Sequence, residues 1–79
     1  MTSPGAATRP QTAQLLVLLH DYVVAHTAAH PALIPAVLAL RDAAQAFGRG
    51  ELQRAHDHGV TVYRMLQGVR ATSADLPEP

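Results

Sequence analysis

Between Thr8 and Pro31 the chain carries one helical segment that is apolar on nearly every side. At about 100° per residue, Leu15, Leu19, Tyr22, Val23, His26 and Ala29 share one broad face. Ala13, Val17 and Val24 lie almost opposite, and only Gln14, Asp21 and Ala28 form a weak polar strip. A helix of this kind is normally buried on more than one side. With 79 residues in all, the chain makes at most one small domain. The rest of it offers two further helices, enough to cover one face of the first but not both. The expected fold is therefore all-α, a three-helix domain of a long helix 1 plus an antiparallel helix 2–helix 3 hairpin. Its core is expected to be completed as a homodimeric helical bundle. The residues expected at that interface are Leu15, Leu16, Val17, Leu19, Tyr22, Val23, Val24, Leu38 and Gly59.

Local signals set the boundaries. Residues 1–7, Met-Thr-Ser-Pro-Gly-Ala-Ala, have no apolar period, and the chain closes in Asp-Leu-Pro-Glu-Pro. Residues 1–7 and 71–79 are accordingly expected to be disordered tails around a helical domain at 8–70. Thr8-Arg9-Pro10-Gln11 fits a capping box, with proline in the first turn, where backbone N–H groups lack helical partners anyway. Helix 1 is expected over about 9–29, ended by Pro31. A turn over 31–34 leads to helix 2 at about 35–47, since Pro35 inside a helix would remove a hydrogen bond. Gly48-Arg49-Gly50 breaks the chain, with Gly48 suited to the left-handed position. Helix 3 follows at about 51–69. In helix 2 the main apolar stripe is Val37, Leu40, Ala44 and Phe47, with Ile34 and Leu38 on a second edge. In helix 3 it is Leu52, Ala55, Gly59, Val62, Tyr63 and Leu66. Gly59 lowers helix propensity by about 1 kcal/mol and, with Ala55, admits a close neighbouring backbone.

Composition removes several kinds of chemistry. There is no Cys, which excludes disulfides, thiolate catalysis and Cys-ligated metals. Six Arg, no Lys and six acidic residues give net zero charge, which argues against nucleic-acid binding. With one Phe, two Tyr and no Trp, little is present for base stacking. The apolar run at 15–19 is far short of the ~20 residues that span a bilayer. The first residues show no charged region leading into an apolar one, so a cytoplasmic location is expected.

The five histidines are the one unusual count. His26 and His30 stand at i and i+4, a spacing that sets two imidazoles on one helix face. His56, at the edge of the helix 3 stripe, would meet His26 across the bundle. A divalent transition-metal site of His26, His30 and His56, taking Zn²⁺, Ni²⁺ or Cu²⁺, is the alternative reading. His56 and His58 diverge on a helix and cannot chelate together. No catalytic constellation is evident. Ser3 and Ser73 fall in the expected tails, and Asp21, Asp42 and Asp57 fall on polar strips. Enzymatic activity is not expected.

Two resemblances appear around helix 3. His58-Gly59-Val60-Thr61-Val62-Tyr63-Arg64-Met65-Leu66-Gln67-Gly68 resembles the turn and recognition helix of phage-repressor and antitoxin-type helix-turn-helix proteins. That resemblance implies a DNA-binding regulator with a degenerate motif, because the residues that normally separate Thr61 from Val62 are missing. Ala43, Phe47, Gly50, Leu52, Ala55 and Tyr63 resemble one tetratricopeptide unit, which implies a helix 2–helix 3 hairpin. The main expectation is a small non-enzymatic interaction, adaptor or regulatory module. It acts through an apolar helical surface, by self-association and by docking a protein partner.

Overall fold

The structure, a computed structural model, describes residues 8–79. The expected tail at 1–7 lies outside the described residues. Three α-helices follow in order, α1 (Arg9–His26), α2 (Ile34–Gly48) and α3 (Leu52–Arg70), with one 3₁₀ turn at Pro31–Leu33 before α2. Among the described residues there is no strand, and no helix is long and apolar enough to cross a membrane.

Each boundary has a chemical cause. Thr8 is extended (φ −104°, ψ 157°) and its Oγ1 accepts the Gln11 N–H at 3.3 Å, capping α1. Thr12, fully buried, donates its hydroxyl back to the Thr8 carbonyl at 2.8 Å, so its polar group is satisfied within its own helix. α1 stops at His26, earlier than expected. Pro31 holds His30 out of the helical region (φ −131°, ψ 78°), and residues 27–29 form a turn. Pro35 sits in the first turn of α2, where no intrahelical partner is lost.

The α2–α3 connection differs from expectation by two residues. Gly48 stays helical and Arg49 remains right-handed (φ −86°, ψ −1°), so Gly50 takes the left-handed position at φ +80°. The Gly50 N–H donates to Phe47 O and the Glu51 N–H to Ala46 O, both at 3.0 Å, the Schellman pattern that closes a helix end. The chain thereby turns back and lays α3 along α2, the most extensive helix pair in the molecule.

The core contains Leu19, Tyr22 and Val23 of α1, Leu33, Leu40 of α2, and Val62 and Leu66 of α3. α2 contributes a face other than the expected stripe. Its buried residues are Ala36, Leu40, Ala43 and Ala46, whereas Val37 and Phe47 are half-buried and Ala44 is exposed. A row of alanines lets a neighbouring helix approach that side of α2 closely, while Val37 of the expected stripe still packs against the core from a half-buried position.

Residues 72–79 also depart from expectation. Rather than standing free, this segment crosses the end of the bundle as a strap, with Leu76 only 4% exposed and part of the core. One apolar side chain among prolines and acids gives no periodic signal, so the pattern that identifies helices has nothing to register here.

Candidate functional site

α1 and α2 diverge on the side away from α3 and leave a groove between them. From α1 its wall is made by Leu16, Val17, His20, Val23 and Val24. From α2 come Val37, Leu40, Arg41, Ala44 and Phe47. Two depressions of about 520 and 300 Å³ share His20, Leu40 and Ala44, so they form one continuous trough. The helical register explains the composition, since 16, 20 and 23 on α1 and 37, 40, 44 and 47 on α2 each recur at three or four residues.

The trough is apolar with a sparse polar rim. Val17 and Val24 are 58% and 68% exposed, and Leu38, on the outer shoulder of α2, is 53% exposed. Leu18 and Ile34 add to the uncovered aliphatic surface. At one end the Arg9 guanidinium lies 4.9 Å from the centroid of Phe47, a cation–π contact that closes the trough. Arg41, on the wall, makes no ion pair among the described residues. His20 Nδ1 lies 3.5 Å from Asp21 Oδ1 at the rim.

The nine expected interface residues divide into three groups. Val17, Val24 and Leu38 are exposed as an interface requires. Leu15 and Leu16 are half-buried against the core. Leu19, Tyr22, Val23 and Gly59 are buried within the chain itself. At Gly59 a Cβ would stand 2.8 Å from Leu15 Cδ2 and 3.3 Å from its Cγ. The close approach therefore lies between α3 and α1 of one copy. Of the apolar stripe expected on α2, Ala44 and Phe47 line the trough, and Val37 both lines it and packs against the core. The signal that marks the more buried side of α2 is the Ala36, Ala43, Ala46 row beside them.

The histidines are not gathered into the expected ligand set. Because α1 ends at His26, the i, i+4 spacing to His30 spans a turn and no longer sets both rings on one face. The His26 ring packs on Tyr22 with centroids 4.7 Å apart. His30 Nε2 lies 3.2 Å from Asp75 Oδ2 in the strap. His56 is half-buried on α3. Among the described residues no three His, Asp or Glu side chains are placed to hold a metal ion.

α3 runs unbroken from Leu52 to Arg70, so residues 58–68 contain no turn of the helix-turn-helix kind. Among known proteins, no family model, no curated protein and no solved structure matches the chain.

Proposed function

We propose that the chain is a small non-enzymatic interaction module that self-associates through the α1–α2 trough, its partner being a second copy. In this arrangement α1 and α2 of each copy build a four-helix core, with the two α3 helices outside. The observation that carries it is the uncovered aliphatic surface of the trough, with Val17 and Val24 more than half exposed. Exposed apolar surface that is contiguous, and not scattered singly, marks interaction sites. Charge supports the choice of a second copy. The chain has net zero charge, so two copies do not repel, and the unpaired Arg41 on one trough is available to the exposed Asp21 of the other. With 18 residues in α1, a face two helices wide is about 27 Å long and covers on the order of 500 Å². That is below the ~800 Å² per partner of a standard interface, in the size class of weak or transient contacts.

Sedimentation equilibrium at about 50 µM, a concentration suited to a weak contact, should give the dimer mass. Val24→Glu, which places a charge in the trough, should return the monomer mass with helix content retained. A native chain that is monomeric under these conditions, with its fold intact, overturns the proposal.

A further inference from the structure

The strap is held in the manner of a bound ligand. It has neither helix nor strand of its own, only turns at 71–72 and 74–75. Its single apolar anchor is Leu76, which enters the core cluster with Leu19, Leu33 and Leu66. The N–H groups of Thr72, Ser73 and Leu76 close turns on Val69, Arg70 and Ser73, and beyond these, side chains of the body reach strap carbonyls and carboxylates. Tyr22 Oη donates to the Pro77 carbonyl at 2.8 Å. Arg70 Nε donates to the Leu76 carbonyl at 3.4 Å, and Arg70 Nη1 lies 3.8 Å from Glu78 Oε1. Gln67 Oε1 accepts from Arg70 Nη1 at 2.7 Å and so aims the guanidinium. His30 Nε2 faces Asp75 Oδ2 at 3.2 Å. Around that socket Ala74, Asp75, Pro77 and Glu78 remain exposed.

These contacts define a recognition rule. An apolar pocket takes one leucine, two donors read the carbonyls of that leucine and the proline after it, and an arginine and an imidazole flank it for carboxylates on either side. Proline after the leucine suits the arrangement, because it fixes its own φ and needs no partner for an N–H. We infer that this socket is a docking site for acidic segments with a Leu-Pro pair, entering from a turn, on another polypeptide. The chain's own residues 75–78 are its tethered occupant. The tether, residues 71–74, is short, so the strap acts at an effective concentration on the order of millimolar and shields the socket from weak competitors. A partner segment of the same chemistry replaces it and leaves the strap free. This inference does not depend on the trough, which lies on the other side of α1.

The test uses the full chain and a fluorescein-labelled peptide of residues 72–79, followed by fluorescence anisotropy. Leu76→Asp stops the strap from seating without altering the socket. That variant should bind the peptide saturably, at least about tenfold more tightly than the native chain, whose tethered strap competes. A peptide carrying the same Leu76→Asp change should not bind. If the helical variant binds no better than the native chain, the inference is overturned. Should Leu76→Asp lose its cooperative melting, the double variant Asp75→Ala/Glu78→Ala, which keeps Leu76, carries the test. It should bind the peptide several-fold more tightly than the native chain, and equal binding overturns the inference.

Discussion

Against α3, helix α1 presents Leu15 and Leu16 over Gly59. Against α2 it presents Leu16, Val17, His20 and Val24 along an open trough. One side of α1 is thus filled by its neighbour and the other is left partly uncovered. The difference lies in the surfaces it meets. Gly59 gives α3 a flat spot where a leucine rests on backbone, whereas Val37 and Phe47 of α2 stand at the trough wall and leave Val17 and Val24 exposed.

The largest expected effect separates the two sides directly. Leu66 is fully buried, and Leu66→Ala should cost about 2–5 kcal/mol from lost transfer energy and the cavity left behind. Val24, 68% exposed, should change monomer stability by less than about 0.5 kcal/mol on replacement with alanine. Urea denaturation at a concentration where the chain is monomeric measures both. Similar losses at the two positions would break the comparison.

Gly59 sharpens it. Gly59→Leu should cost about 1–3 kcal/mol by forcing α1 and α3 apart. Gly59→Ala should be near neutral, because a helix-propensity gain of about 1 kcal/mol is offset by displacing Leu15. Gly68 is the control. An added Cβ there meets nothing within 4 Å, so Gly68→Ala should stabilise by up to about 1 kcal/mol. A rise in melting temperature for Gly59→Leu would show that the crossing has slack.

The smallest effect lies at the strap. Burial pushes the Tyr22 phenol above its ordinary value, with the positive charge of Arg70 pulling the other way. The folded state therefore holds the phenolic proton to higher pH than the unfolded chain does. The stability this contributes should be complete below the unfolded value of about 10 and fade as pH rises through the folded one. Tyr22→Phe removes the bond to Pro77, at a cost of about 0.5–1.5 kcal/mol. It should also flatten the decline above about pH 10, since the titrating group is gone. A decline of unchanged steepness in that variant would assign it to another group.

Much of the helical frame was legible because its signals are local. Thr8 with Pro10, Pro31, and the glycines at 48 and 50 each act within a few residues of themselves. Three features were not legible. Which face of α2 is buried depends on its neighbours in the fold. Whether His26 and His30 share a face depends on how far before Pro31 α1 ends, which the proline alone does not fix. The seating of Leu76 depends on Tyr22, whose hydroxyl is bonded 55 residues away in sequence. Hydrophobic periodicity describes a helix by itself and carries no information about the size of its neighbour. The candidate site suffered most, because residues with the largest apolar side chains are assigned inward by default. Here Phe47 lines the open trough, and Val37 divides itself between trough and core.

The brevity of the connection between α2 and α3 bears on the order in which the molecule assembles. Only residues 49–51 separate the two helices, and Gly50 enters its positive-φ turn without steric penalty. Closing so short a loop takes about 10–100 ns and loses little chain entropy. The expected order is therefore the α2–α3 pair first, then α1, and last the strap, whose contacts reach back to Tyr22 and His30. Ala43→Gly, inside that pair, should slow folding, whereas Leu76→Ala should chiefly speed unfolding. Stopped-flow chevrons distinguish the two, and a folding arm slowed most by Leu76→Ala would reverse the sequence of events.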